Sequence, residues 1–256
     1  MKKKEQVQEP TVEIQPIEYE TQAIEETANV LFKPNPGPQT DFLAAAEREV
    51  LYGGSAGGGK SYAMLSDPLR YMGHPAFSGL LLRHTTEELR ELVFKSQELY
   101  PKIWPGIKWS ERKMQWTAPS GARLWMSYLD RDDDVLRYQG LAFSWIGFDE
   151  LTQWATPYAW NYMRSRLRST APDLPIYMRA TTNPGGRGHH WVKKMFIDPA
   201  PYNRAYDATD IETGEVLRYP AGHAKAGRPL YKRRFIPARL SDNPYLAESG
   251  DYEAML

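Results

Sequence analysis

The sequence predicts an α/β fold in which a mainly parallel central sheet carries helices on both faces. Short, continuous apolar runs, such as residues 80–82 and 143–148, alternate with segments whose apolar residues recur at helical spacing. A glycine-rich segment at residues 53–61 stands between the first apolar run and the first helical pattern. Strands that alternate with helices in this way form parallel sheets buried on both faces.

The predicted elements follow in chain order. Residues 39–46 form a short helix with Asp41 as its cap, and the apolar run 50–52 is the first strand. The next helix runs from Ser61 to about Met72 and is kinked by Pro68. The later elements are the strand 80–82, a helix opened by the capping box 85–88, a hairpin of residues 114–117 and 122–129, the strand 143–148, a helix from Thr156-Pro157 to about Leu167, and the strand 176–180.

Composition excludes several kinds of site. The chain of 256 residues has no cysteine, so it has no disulfide, no thiolate metal site and no cysteine nucleophile. No apolar run approaches the ~18 residues that a membrane span needs. The basic start of the chain is not followed by an apolar region, so it is not a secretory signal.

Charge is unevenly distributed along the chain. Residues 1–30 carry a net charge of −4 with little periodicity and are interpreted as a mobile arm. Residues 164–239 hold fifteen Lys and Arg against six Asp and Glu. This excess suits a polyanionic partner, although a solvated surface balanced elsewhere is an open alternative. The best candidates for phosphate-backbone contacts are Lys193, Lys194, Arg228, Lys232, Arg233 and Arg234.

The glycine-rich segment fits the phosphate-binding pattern G-x-x-x-x-G-K-[ST]. Its residues are Gly54, Ser55, Ala56, Gly57, Gly58, Gly59, Lys60 and Ser61. Glycines let backbone N–H groups approach an anion closely. Lys60 is predicted to reach the β- and γ-phosphates of ATP, and Ser61 to ligate Mg²⁺.

Two further strands end in polar residues. Asp149 and Glu150 follow the strand 143–148, where Asp149 would hold Mg²⁺ and Glu150 would orient or deprotonate an attacking water. The strand 176–180 leads into Thr181, Thr182 and Asn183. These side chains would contact the γ-phosphate or the water, or alternatively belong to a simple strand-end turn.

Together these blocks resemble the ATPase domain of tailed-phage large terminases, the DNA-packaging motors. The matching blocks are residues 38–42, 51–61, 81–83, 138–140 with 149–152, 182–186 with 188–193, and 235–240 with 242–246. The resemblance implies a P-loop NTPase fold of the ASCE (RecA-like) class that hydrolyses ATP with Mg²⁺. It also implies that Gln39 contacts adenine, that Arg83 is a strand-end arginine, and that Thr181, Thr182 and Asn183 form a coupling motif.

The arginine finger that such domains often carry is not fixed by the resemblance. Gln139 stands at the usual position, and Arg137 lies two residues before it. Arg83, Arg123 and Arg187 are the other candidates, so the finger is left open.

The resemblance also implies an organisation and a set of partners. We expect an arm at residues 1–30, an ATPase domain at 31–240, and at 241–256 the start of a linker towards a nuclease domain that this sequence does not include. The chain is then a piece of a longer protein or one part of a split one. The implied partners are double-stranded DNA, a portal protein, a small terminase subunit and further copies in a homo-oligomeric ring, expected to be a pentamer. The implied location is the host cytoplasm and, transiently, the procapsid portal, with no membrane involved.

Two other functions compete with an ATP-driven DNA motor. One is a P-loop kinase of a small molecule, which would need an acceptor site. The other is a nucleotide-gated assembly module that binds ATP without turnover, and the Asp149-Glu150 pair disfavours it.

Overall fold

The computed structural model describes residues 32–54, 59–200 and 202–242. The predicted arm, residues 55–58 of the glycine-rich loop and nearly all of the predicted linker lie outside these ranges. None of the helices within them combines the length and the apolar character that crossing a membrane requires.

The described strands form one sheet. In chain order they are β1 (Glu49–Gly54), β2 (Ser78–Arg83), β3 (Lys108–Ser110), β4 (Gln115–Thr117), β5 (Arg123–Tyr128), β6 (Trp145–Phe148), β7 (Tyr177–Thr182), β8 (Ala205–Asp207) and β9 (Lys232–Ala238). Their order across the sheet is β3-β4-β5-β2-β6-β7-β1-β9-β8. All neighbours from β5 to β9 in this order are parallel, and antiparallel pairs occur only at the two edges. The predicted mainly parallel sheet is confirmed.

The strand order determines which residues meet. β7 lies between β1 and β6, so the strand before the glycine-rich loop does not border the strand that leads to Asp149. Because the carboxyl ends of parallel strands share one edge of a sheet, Gly54, Arg83, Asp149 and Thr182 are all brought to that edge. We call it the catalytic edge.

Helices cover both faces of the sheet, as predicted. They are α1 (Pro38–Ala44), α2 (Lys60–Ser66), α3 (Thr86–Ile103), α4 (Tyr158–Arg164) and α5 (His189–Val192). Val50 of β1 belongs to a buried cluster with Phe42, Met64 and Leu92 from the first three helices. Leu51, the next residue, belongs to the second cluster, which includes residues of α4 and α5. This alternation is the period of two that a strand buried on both faces requires.

The capping box and the hairpin are confirmed, but the predicted Asp41 cap is wrong. Gly37, not Asp41, precedes α1, and the Asp41 carboxylate instead accepts a hydrogen bond from Asn203 Nδ2 at 2.7 Å. The helix predicted from Thr156-Pro157 lies at Tyr158–Arg164, and the Thr156 hydroxyl accepts from the Tyr158 N–H at its start, as a cap that precedes Pro157 would.

The helix after the glycine-rich loop is also shorter than predicted. It begins at Lys60 and ends as an α-helix at Ser66, after which Asp67–Tyr71 continues as a 3₁₀ turn. Pro68 lies in the first turn of this 3₁₀ segment, where its missing N–H leaves no hydrogen bond unmade. The predicted kink is therefore a change of helix type.

Candidate active site

The two ends of the glycine-rich loop are both fixed by close backbone contacts. A Cβ at Gly54, whose φ is 149°, would lie 1.7 Å from the Ala238 carbonyl oxygen, so only glycine fits there. Gly59 adopts φ 72°, and its carbonyl accepts a hydrogen bond from Gln39 Nε2 at 2.9 Å. Residues 55–58, where the central loop predictions fall, are outside the described ranges.

Gln39 lies next to the loop, but both ends of its amide are engaged. Its Oε1 accepts from the Asn35 N–H while its Nε2 donates to Gly59. The side chain is buried. Gln39 therefore ties the segment before α1 to the end of the loop, and its contact with adenine stays a prediction.

Lys60 begins α2 and is almost fully enclosed, with 6% of its surface exposed. Burial lowers the pKa of its ammonium group, and the negative charges of Glu150 and Asp149 partly oppose this shift. An enclosed ammonium group is suited to bind a phosphate as a point charge. Ser61 follows in the first turn of the same helix and is partly exposed.

Both oxygens of the Asp149 carboxylate are held. Asp149 follows β6 and is 1% exposed. The Thr181 hydroxyl donates a short hydrogen bond to its Oδ1, and Arg83 Nε lies 3.0 Å from its Oδ2. These contacts fix the carboxylate at the catalytic edge, and they place the cationic Arg83 beside it in the same subunit.

Glu150 has a strained backbone that its neighbours stabilise. Its φ of 62° and ψ of 56° are left-handed, which costs a non-glycine residue about 1–2 kcal/mol. Its N–H donates to Thr181 Oγ1 at 3.0 Å. The backbone N–H and the Nδ2 of Asn183 donate to its carboxylate at 3.1 and 2.7 Å. Strain that neighbouring contacts maintain is characteristic of functional sites.

The pKa of Glu150 is raised, first by burial and then by the neighbouring Asp149. Arg83 and Lys60 act in the opposite direction. A carboxylate with a raised pKa is a better proton acceptor than an exposed one, as a general base requires.

The coupling-motif residues connect two strand ends. Thr181 bridges Asp149 and Glu150, as described above, and Thr182 Oγ1 donates to Thr152 Oγ1 at 2.9 Å. This bond ties Thr152 to the end of β7. The Thr152 carbonyl also accepts a hydrogen bond from the Gly188 N–H at 2.8 Å. Sequence reasoning assigned Thr152 no role; its position two residues after Glu150 was the available signal.

The residues at this edge fit a magnesium ion. Mg²⁺ prefers oxygen ligands and is usually held by one or two carboxylates together with substrate phosphates and water. Asp149 and Ser61 supply a carboxylate and a hydroxyl of this kind. Within the described ranges no group of three or more His, Cys, Asp or Glu residues could form a cage made of protein alone.

The four candidate arginine fingers lie in different settings. Arg123 begins β5, at the opposite edge of the sheet, and its guanidinium lies over the Trp125 ring. Arg83 is buried against its own Asp149. Arg137 is 46% exposed, and it donates to the Tyr128 carbonyl at the catalytic end of β5. Arg187 is exposed beyond the end of β7. Arg137 and Arg187 are therefore the accessible candidates.

The structure divides the basic second half of the chain into buried and exposed parts. Arg233, predicted as a phosphate contact, is buried and lies 2.7 Å from Glu49, so that prediction is wrong. Arg164 pairs with the same carboxylate at 2.7 Å. These arginines lower the pKa of Glu49 against the opposing effect of burial. Part of the positive charge thus neutralises a buried acid.

Comparison with known proteins identifies a family for this chain. The model of a family described as phage terminase large subunit matches residues 46–219. No curated protein matches the chain.

Two solved structures have similar folds. A large terminase from a thermophilic bacteriophage, in complex with ADP, superposes with a TM-score of 0.57 at 14% identity, covering 88% of this chain and 50% of that one. The ATPase domain of the Thermus phage P74-26 large terminase gives 0.53 at 12% identity, covering 88% of each chain. The chain therefore spans about half the length of the first of these proteins.

Proposed function

Because the chain belongs to the phage terminase large-subunit family, we propose that it is the ATP-hydrolysing motor domain that moves double-stranded DNA into a procapsid. The observation that supports this most is the arrangement at the catalytic edge. Two adjacent carboxylates, Asp149 and Glu150, are each held by two donors or cations, and both face the enclosed Lys60. Phosphoryl transfer needs this combination of positioning and charge.

Each residue has a defined part in the proposed reaction. Lys60, at the end of the glycine-rich loop, binds the β- and γ-phosphates of ATP as a point charge. Asp149 and Ser61 would hold Mg²⁺, which would supply charge neutralisation at the phosphates. Glu150 orients the attacking water and accepts its proton, held in place by Asn183. Thr181 and Thr182, at the end of β7, sense the loss of the γ-phosphate on hydrolysis and transmit it along the strand.

Family membership and Glu150 together favour this function over the two alternatives. A small-molecule kinase transfers the phosphoryl group to an acceptor and gains nothing from a carboxylate placed for water. An assembly module without turnover has no use for a strained, partly buried Glu150 whose pKa is raised. Hydrolysis uses all of these features.

The partners follow from the proposed role. We propose that the domain works in a homo-oligomeric ring, a pentamer, which contacts a portal protein, a small terminase subunit and double-stranded DNA. It would act in the host cytoplasm and transiently at the procapsid portal. We also propose residues 31–240 as the ATPase domain, with an arm before it and a linker towards a nuclease domain after it.

Stimulation of ATP turnover by DNA tests the proposed function. We expect phosphate release by the purified chain to be slow, and to rise when duplex DNA and an isolated portal protein are added. The same assay with candidate small-molecule acceptors instead of DNA should show no rise. Stimulation by an acceptor with transfer of phosphate to it would identify a kinase. Nucleotide binding without any phosphate release would identify an assembly module.

Replacing Arg137 with alanine should abolish the acceleration that assembly brings. Arg137 contacts the end of β5, which lies four strands away from β1 in the sheet. At ~4.8 Å per strand this is about 19 Å from the glycine-rich loop, so Arg137 is better placed to act on the ATP of a neighbouring subunit. An arginine supplied in trans contributes about 10³-fold or more to turnover. Turnover per subunit should therefore rise with protein concentration in the parent chain but not in Arg137→Ala. Arg187→Ala is the matched control, and a loss in the control alone would move the finger to Arg187.

A further inference from the structure

Residues 208–231 leave the sheet between β8 and β9 and form a small antiparallel meander. Thr209 pairs with Val216, and Arg218 pairs with Pro229. Two turns result, at residues 210–215 and 219–228. Consecutive turns of a meander lie at opposite ends of the strand that they share, so these two turns project in opposite directions.

The two turns carry opposite charges. The first, which we call the acidic turn, holds Asp210, Glu212 and Glu215. The second turn holds Lys225 and Arg228, and Arg218 directly precedes it; we call residues 218–228 the basic turn. No acidic residue occurs between Val216 and Tyr231. The meander therefore separates its positive charge from its negative charge.

The cations of the basic turn differ from Lys193 and Lys232, two basic residues of this half of the chain that pair with carboxylates. Arg218, Lys225 and Arg228 are all exposed. Within the described residues, no carboxylate lies within ion-pairing distance of any of them. By contrast, Lys193 pairs with Asp198 at 2.5 Å and Lys232 with Asp207 at 3.0 Å. The charge of the basic turn is available to an external anion.

The basic turn is also held in a defined shape. Tyr219 and Arg228 are joined by a backbone hydrogen bond of 3.0 Å, and Arg218 Nη1 donates to the Gly227 carbonyl at 2.7 Å. The rings of Tyr219 and His223 stack with centroids 4.5 Å apart, and the Lys225 ammonium lies 5.7 Å from the Tyr219 ring centroid. A preformed arrangement of cations loses less conformational entropy when it binds.

We propose that the basic turn is a contact surface for the phosphate backbone of double-stranded DNA. This inference rests on the proposed motor function, and it assigns the DNA contact to a specific segment. A motor that moves along DNA of any sequence needs contacts that carry no sequence information, and cation–phosphate contacts are of this kind. The three exposed side chains would neutralise about three phosphates, one for each positive charge.

The salt dependence of DNA binding tests this assignment. The variant carries Arg218→Gln, Lys225→Gln and Arg228→Gln, and fluorescence anisotropy measures its affinity for a short duplex across a range of salt concentrations. For B-DNA, the slope of log K against log salt is about −0.9 for each neutralised phosphate, so we expect the slope to become less steep by about 2.7. The substitutions are exposed and outside the catalytic edge, so turnover of ATP without DNA should not change.

A charge-matched control carries Lys102→Gln, Lys108→Gln and Arg112→Gln. These exposed positions lie near β3, the outermost strand on the side of the sheet away from β8 and β9. Its slope should equal that of the parent chain. Equal slopes for the parent and the basic-turn variant would overturn the assignment while leaving the motor function standing. Binding to polyglutamate but not to duplex DNA at the same salt would overturn it in favour of an acidic protein partner. DNA-stimulated turnover in the parent chain is measured in parallel, and its absence counts against the motor function itself.

Discussion

Replacing Lys60 with alanine is expected to weaken ATP binding severely. The Lys60 ammonium is enclosed and lies in the field of the two carboxylates of the catalytic edge. Because the site is enclosed, water cannot easily take over the contact with the phosphates when the ammonium group is removed. Truncating one member of a buried, hydrogen-bonded charge pair costs about 2–5 kcal/mol, which corresponds to roughly 30-fold to several-thousandfold in Kd. Isothermal titration calorimetry with ATP and Mg²⁺ measures the change directly.

A surface lysine supplies the control for this prediction. Lys102 lies in the last turn of α3 and is exposed, so Lys102→Ala should bind ATP as the parent chain does. The fold of Lys60→Ala should be preserved, because burial already disfavours the charged form that the substitution removes. Unchanged ATP affinity in a folded Lys60→Ala protein would show that this loop is not the nucleotide site.

Much of the sheet could be predicted because each buried strand carries its own local signal. The run Leu80–Leu82 is apolar on both faces, and the structure places it inside β2 with neighbours on both sides. The Thr85 capping box was equally local, since it depends on residues only three positions apart. Strand order was not predictable in this way. It depends on which strands pair across the chain, as β1 does with β7 and β9.

The error at the start of α1 comes from a side chain with two possible partners. Asp41 is a good cap by residue type, but Asn203, which is distant in sequence, takes its carboxylate. Thr156 is also a good cap by residue type, and its hydroxyl does accept from the Tyr158 N–H at the start of α4. Local preference cannot tell which partner wins when the alternatives are similar in energy.

Charge was the least predictable property of the chain. Arg233 and Glu49 are 184 residues apart and are both buried, and no sequence pattern indicates their pairing. Counting basic residues therefore overestimated the positive surface. At the catalytic edge, the sequence predicted that Asp149, Glu150 and Thr181 follow or end strands, but not that the single hydroxyl of Thr181 serves both Asp149 and Glu150.

Replacing Glu150 with glutamine is expected to lower ATP turnover by about 10²-fold or more while ATP and Mg²⁺ still bind. Glutamine keeps the size of the side chain and removes the proton acceptor. It also cannot accept both hydrogen bonds from Asn183, because one carboxylate oxygen becomes an NH₂ donor. Single-turnover phosphate release, measured with enzyme in excess over ATP, isolates the chemical step from nucleotide exchange.

Asn183→Ala separates the two consequences of Glu150→Gln. This variant keeps the Glu150 carboxylate and loses the side-chain hydrogen bond of 2.7 Å that orients it, while the backbone bond of Asn183 remains. If Glu150 acts as the base, Asn183→Ala should lose less turnover than Glu150→Gln, because the proton acceptor is still present although less well held. Equal losses in the two variants would mean that Glu150 matters for its position alone. Full turnover in Glu150→Gln would place the base elsewhere. If Glu150→Gln instead lost ATP affinity as much as turnover, Glu150 would be a binding residue and not the base.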